Sequence, residues 1–319
     1  MSAKSVLVGV DLGGTNIKVG LVSPEGELLC ETRAPTDVPS GPGAAVERMA
    51  GMAGELLAGR GLSAADVKAC GIGSPGPLST RTGRIVQTPN LHGWDGAPLA
   101  PDLGEALGCP AFLEGDANAA CWAEHWVGAG RGVDDMVMLT LGTGVGGAVI
   151  LGGELVRGVD DTGGHIGHVT VEPGGAECGC GNRGCLEAYA SATSTVRRFR
   201  EAVKRGEESS LQVDGELTAR DIHRAAAGGD ELARKILGLT GWYLGIVLGG
   251  LANVLNPELA CVSGGMINAG EMIFGPMRES CREHSFPAPG ERLRIVPAEL
   301  GESAGMVGAA GCALRRLGA

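Results

Sequence analysis

His168-x9-Cys178-x-Cys180-x4-Cys185 gathers one imidazole and three thiols within eighteen residues, and Leu186-Glu187 follow at once. That donor set, Cys3His, is one that holds a structural zinc ion. Thiolates bind zinc only after losing their protons, and the charge of the metal favours that loss. Gly179, Gly181 and Gly184 between the donors let the backbone turn tightly around an ion. Four closed ligands leave no position for an activated water, so the metal would shape a loop rather than do chemistry. Glu187 would then be held in a fixed direction. Incidental buried cysteines or disulfides are the competing reading, and the spacing suits a metal better.

A second chemical candidate is Asp116, in Glu114-Gly115-Asp116-Ala117-Asn118-Ala119, where an apolar strand gives way to a helix. A carboxylate at a helix start is favoured by the dipole and by free N–H groups, so Asp116 could serve only as a cap. Its company points further. Asn90 is a loop amide in Thr88–Trp94, and Ile72-Gly73-Ser74-Pro75-Gly76-Pro77 is a stiff turn at a strand end. With His168 and Glu187, these groups suit a polyol that offers several hydroxyls at once. An Asp within reach of a primary hydroxyl can take its proton as the oxygen attacks a phosphoryl group.

The elements that must position these groups are marked by glycine. Val6–Val10 reads as a buried strand running into Asp11-Leu12-Gly13-Gly14-Thr15, with a second apolar stretch from Ile17 to Val22 and a return at Leu28–Thr32. Glycine lets backbone N–H groups approach an anion, Thr15 adds a hydroxyl, and Asp11 is placed to hold magnesium directly or through water. A plain structural turn fits the same residues. The pattern recurs as Met136–Leu141, then Gly142-Thr143-Gly144-Val145-Gly146-Gly147, then Ala148–Leu151. Such an echo predicts two related domains. Neither turn is a Walker A loop, because no Gly-Lys-Ser/Thr follows, nor a Rossmann turn, because a strand rather than a helix comes next. Ser263-Gly264-Gly265 follows a third strand, Leu259–Val262, and could admit a flat ring against bare backbone.

Composition sets the frame. The chain has 319 residues, 44% hydrophobic but only 3% aromatic, so aliphatic side chains must fill the core. A formal charge of −11 argues against a nucleic-acid partner. Met1-Ser2-Ala3-Lys4 leads straight into a strand, so no signal peptide is expected. Apolar runs such as Leu244–Leu255 are too short and glycine-broken to span a bilayer, so no membrane partner is expected. Ten cysteines without a leader point to a reducing compartment, the cytoplasm.

Together these motifs resemble the ROK family of repressors, open reading frames and sugar kinases, over essentially the whole chain. Asp11–Thr15 and Leu141–Gly147 are similar to its two phosphate motifs, and Ser263-Gly264-Gly265 to its adenosine motif. Asp116-Ala117-Asn118-Ala119 resembles its catalytic-base motif, and Gly167-His168 through Glu187 its zinc and sugar signature. The resemblance implies an α/β, two-domain actin-like ATPase (ribonuclease H-like) fold with a ligand cleft between the domains. It implies transfer of phosphate from ATP, with Mg2+, to O6 of a hexose, glucose first, and Asp116 as general base. Sugar contacts are implied at Gly76, Asn90, Asp116, His168 and Glu187, with His168 giving one ring nitrogen to zinc. Nucleotide contacts are implied at Asp11, Gly13, Gly14, Thr15, Lys18, Gly142, Thr143, Gly144, Gly264 and Gly265. A homodimer or homotetramer is expected. A sugar-responsive regulator is the remote alternative, since those family members carry a DNA-binding segment ahead of the first strand.

Two departures bear on the sugar. Many family kinases have Asn where Gly115 stands, and Glu where His165 stands in His165-Ile166-Gly167-His168. Each lost hydrogen bond would cost about 0.5–1.5 kcal/mol. His165 either donates to a hydroxyl or points away, and fructose, mannose or an N-acetylhexosamine become alternative substrates. The expected domains are 1–117 plus 301–319, and 118–300 with the zinc loop. A long helix is expected over Glu231–Leu255, whose Gly241, Gly245, Gly249 and Gly250 suit close packing in the core or in a dimer. Lys204–Gly215 reads as a solvated loop.

Overall fold

The computed structural model describes residues 5–88, 91–213 and 215–318. In chain order the first half contains β1 (Val6–Leu12), β2 (Asn16–Val22), β3 (Leu28–Pro35), α1 (Gly41–Gly59), β4 (Val67–Ser74), β5 (Leu78–Ser79), β6 (Arg84–Ile85), α2 (Leu99–Leu107), β7 (Ala111–Gly115) and α3 (Asp116–Val127). Next come β8 (Met136–Leu141), β9 (Val145–Leu151), β10 (Glu154–Leu155), α4 (Glu187–Ala190), α5 (Ala192–Lys204), α6 (Ala219–Ala227) and α7 (Glu231–Leu255). The chain ends with β11 (Leu259–Ser263), α8 (Glu271–Glu283), α9 (Pro287–Arg292), β12 (Arg294–Pro297) and α10 (Ala304–Leu317).

These elements form two compact units. One comprises Met1–Gly132, Glu154–Gly164 and Glu299–Ala319; the other comprises Val133–Gly153 and His165–Ala298. The expected first domain ended at residue 117, but the unit continues through α3 and takes in Glu154–Gly164 as well. The reason lies in packing: α10 lies on α3, where Gly308 lets the two helices meet at the carbonyl of Ala119. The return of the chain is fixed by Glu124, fully buried in α3, whose carboxylate receives the backbone N–H groups of Glu299 and Leu300 at 2.8–3.2 Å.

In the first unit the sheet order is β3-β2-β1-β4-β7; β1 runs antiparallel to β2 and parallel to β4, and β4 parallel to β7. Alternation along β1 sends Val6, Val8 and Val10 to one face, with Met49, Leu57, Leu99 and Leu103 of α1 and α2. Leu7 turns to the other face with Ala69, Val307 and Ala310. There α10 lies almost on the strands, because Gly9 and Gly71 have no Cβ to strike the carbonyls of Met306 and Ala309.

The second sheet repeats the plan as β10-β9-β8-β11-β12, with β8 antiparallel to β9, and β8, β11 and β12 parallel. The two strand orders match position for position, as the echoed glycine turns predict. Helix α7 begins and ends where its sequence pattern predicts, capped by Asp230, whose side chain accepts from Ala233 N–H at 2.8 Å. At 25 residues it is long and apolar enough to cross a bilayer, so the length argument made from Leu244–Leu255 does not hold. Its apolarity has another explanation: 56% of its most apolar window is buried within the protein. Gly241, Gly245 and Gly249 face the backbone of α8 at Ile273, Met277 and Cys281, which makes them core positions, whereas Gly250 meets nothing.

Candidate active site

In the first unit the C-terminal ends of β1, β4 and β7 lie along one edge of the parallel part of the sheet, the edge where open α/β sheets place their ligands. Asp11 pairs in register with Gly73, and Gly73 with Glu114. Asp11 and Glu114 therefore stand two strand spacings apart, about 10 Å. Asp116 follows as the first residue of α3, behind a Gly115 in extended conformation. One carboxylate oxygen of Asp116 accepts the Ala117 N–H at 2.7 Å, and the side chain reaches solvent. Crowding by surrounding protein still raises its pKa to about 6 against that hydrogen bond, and the charge of Asp11 adds to the rise. A carboxylate so placed is poised to take a proton near neutral pH.

The turn after β1 is braced from one side. Buried Thr36 donates its hydroxyl to Gly13 O at 2.6 Å and its N–H to Thr15 O at 2.8 Å. Gly14 and Thr15 are left exposed. Lys18 lies 3.9 Å from Asp11 and 3.4 Å from Glu302. Partial burial raises the Asp11 pKa, Lys18 opposes this and Glu302 adds to it. Gly305, at the start of α10, abuts the Asp11 side chain, where a Cβ would come within 2.8 Å. This acidic, incompletely neutralised corner suits a divalent cation that brings phosphate oxygens with it. Gly76 has φ +87°, and a Cβ there would lie 2.8 Å from Gln87 O, so the turn after β4 requires glycine. Asn90 lies outside the described residues.

In the second unit the donors of His168, Cys178, Cys180 and Cys185 all lie within 4.8 Å of one another. Cys180 and Cys185 sulfurs are 3.7 Å apart, and Cys178 Sγ is 3.7 Å from His168 Nδ1. Tetrahedral ligands at zinc–sulfur distances would be about 3.7 Å apart, whereas a disulfide needs about 2.0 Å. The residues present fit the ion, with Nδ1 as the histidine donor and Nε2 left for another partner. Backbone bonds shape the loop: Cys178 N–H to Asn182 O at 2.9 Å and Gly184 N–H to Ala176 O at 2.7 Å, while Tyr189 OH accepts from Ala176 N–H at 2.7 Å. Burial raises the thiol of Cys178, so loading a metal there releases a proton.

Glu187 opens α4 beside this cluster and ties it to the second glycine turn. Its Oε2 accepts the Val145 N–H at 3.0 Å, Cys178 Sγ lies 3.5 Å from Oε1, and Gly144 packs against the carboxylate. Each oxygen keeps a lone pair for a further donor. His165 is exposed, its ring centroid 6.2 Å from that of His168. Desolvation and the neighbouring His168 lower its pKa.

Gly142 and Thr143 are exposed at the tip of their turn, whose carbonyls are held by Ala192 N–H and the Thr193 hydroxyl, both at 2.9 Å. They share a cavity of about 620 Å³ with Gly265, Met266, Leu141, Leu237 and α6. Gly264, at φ +96°, packs directly on the Leu141 backbone, leaving Gly265 open beside the cavity. Apolar walls with polar edges suit a nucleotide base. Thr218, which caps α6, the α6 residues Arg220, His223 and Arg224, and Asn268 of the 3-10 turn at 265–269 also line it, and none stands out in the sequence alone. The capping box Thr218-x-x-Asp221 was the signal available, since it fixes where α6 begins.

Two units of repeated strand order, each with a glycine turn at the end of its first strand, define the fold as that of the actin-like ATPases. The chain belongs to the ROK family, which matches residues 7–316. It is 40% identical to a glucokinase of Thermotoga maritima over 99% of both chains. Among solved structures it resembles a ROK hexokinase from Thermus thermophilus (TM-score 0.85, 35% identity, 98% of this chain and 99% of that one). It also resembles a ROK family glucokinase from Streptomyces griseus in complex with glucose and AMPPNP (TM-score 0.80, 34% identity, 98% and 100%).

Proposed function

We propose that this protein is a hexose kinase that transfers the γ-phosphoryl group of ATP to O6 of glucose, with Asp116 as general base. The observation that carries the reading is an exposed carboxylate at a helix N-terminus with its pKa near 6, in a chain alike over nearly its whole length to glucokinases. In this reading Asp116 accepts the O6 proton as that oxygen attacks, and the α3 dipole steadies the returning charge. Gly76, Asn90, Asp116, His165, His168 and Glu187 contact the sugar. The turn backbone of Gly13, Gly14, Thr15, Gly142, Thr143 and Gly144 takes the phosphates, with Lys18 as counter-charge, and Gly264 and Gly265 admit the adenosine. Asp11 would hold magnesium, which supplies neutralising charge on the phosphoryl oxygens. His168, Cys178, Cys180 and Cys185 would hold zinc, which supplies rigidity to the loop that carries His168 and Glu187. We place the enzyme in the cytoplasm as a homodimer or homotetramer.

A different hexose is the second reading, favoured by Gly115: a Cβ built there meets nothing closer than Asn118 at 3.6 Å, so room exists for a bulkier ring substituent. ADP release from Mg-ATP across glucose, fructose, mannose and N-acetylhexosamines decides between them. Highest kcat/KM with glucose is expected; no ADP release above background with any sugar would remove the kinase reading altogether.

A further inference from the structure

Glu114 is the last side chain before the turn that carries Asp116, and it is only 3% exposed. A carboxylate buried in an otherwise apolar strand persists only if its charge and lone pairs are answered. Here both oxygens are in use. Oε2 receives Arg157 Nε at 2.9 Å and Nη2 at 2.6 Å, a two-pronged guanidinium contact on one oxygen. Oε1 receives the Gly115 N–H at 3.1 Å and Asn118 Nδ2 at 3.0 Å. These attachments bracket Asp116: Gly115 precedes it, Asn118 follows two residues later, and Arg157 reaches in from a distant part of the chain.

Arg157 is itself held in place. It lies in Glu154–Gly164, whose first residue pairs with Arg315 of α10 and whose Asp161 accepts from Thr80 N–H at 2.8 Å and the Thr80 hydroxyl at 2.9 Å. Gly163 N–H closes back on Arg157 O at 2.7 Å, and a Cβ on Gly163 would come within 2.8 Å of the Arg157 carbonyl carbon. A segment anchored on both sides of the arginine thus presses a rigid fork against Glu114.

We propose that the Glu114–Arg157 pair positions Asp116: it fixes the β7–α3 turn, and so the direction from which the carboxylate meets its substrate, without touching substrate itself. The proposal rests on the reading of Asp116 as the base. Buried ion pairs are poor stabilisers compared with apolar side chains of similar volume, but they are directional, and arginine's fork is the most directional of all. That combination fits a group retained for geometry.

Three variants test it: Arg157→Lys, which keeps the charge and loses the fork; Glu114→Gln; and Glu114→Met/Arg157→Met, which replaces the pair by apolar volume. Arg157→Lys is expected to lower kcat about ten- to hundred-fold with KM for ATP unchanged, the cost of a small misplacement of a reacting group. The double Met variant is expected to regain thermal stability over Glu114→Gln, which leaves the guanidinium without its charge partner, but not kcat. Amides of Gly115–Asn118 are expected to exchange hydrogen faster in Arg157→Lys. Wild-type kcat in both Arg157→Lys and the double variant, with only the thermal midpoint moved, would overturn the proposal, as would unchanged exchange at Gly115–Asn118. If the wild-type protein phosphorylates no hexose, the functional reading fails instead, and the exchange measurement alone decides whether the pair holds the turn.

Discussion

Asp116 carries the most consequence for its size. Its pKa of about 6 stands above the ordinary 3.8, so the folded chain holds that proton more tightly than the unfolded chain does. The sign follows: its charge opposes folding, the opposition growing as pH rises between those two values and constant above them. Asp116→Asn should therefore lose nearly all turnover yet keep, or raise, the thermal midpoint at neutral pH, with the difference vanishing in acid; a large fall in the midpoint would contradict this. In the wild type, kcat/KM should fall about tenfold per pH unit below the pKa. A profile flat down to about pH 5 would exclude Asp116 as the titrating base. Immediately before it, Gly115 has room for a side chain. Gly115→Asn should lower the KM for glucose about two- to tenfold by adding one hydrogen bond to a hydroxyl, as steady-state kinetics would show.

Among the elements, the loop from His168 to Glu187 ties two functions together. Glu187 touches Cys178 on one side and Val145 N–H on the other, so the Cys3His cluster and the second glycine turn share one carboxylate, the one proposed above to contact the sugar. Stripping the metal with a chelator should leave most of the helical signal intact, loosen this loop to hydrogen exchange and raise the KM for sugar more than that for ATP. Zinc readdition should restore both. Equal loss of sugar and nucleotide affinity would mean that the ion supports the unit as a whole rather than the loop. Helix α6 teaches the opposite lesson about legibility. Nothing in the spacing of its arginines and histidine points to a ligand, and only the folded chain brings them beside Gly142 and Gly265.

Over the whole molecule, close approach of backbones replaces the bulky aromatic packing that the composition withholds. Gly9 and Gly71 on the sheet and Gly308 on α10 let three layers touch with no Cβ between them. Gly71→Val would drive a side chain into the Ala309 carbonyl, and should cost 3 kcal/mol or more, at the upper end of about 1–3 kcal/mol for overpacking. Urea unfolding measures it, and a shift below about 1 kcal/mol would show that α10 can ride outward at little cost. What the residues settled alone were the features with local causes: the glycine turns, the helix of Glu231–Leu255, and the metal donors, whose spacing is set by chain geometry over a few residues. The domain boundary, the α6 wall of the cavity and the Glu114–Arg157 pair were decided by tertiary structure. Each depends on groups far apart in sequence meeting across packed elements, and a buried charge looks like any other strand residue until its partner is seen.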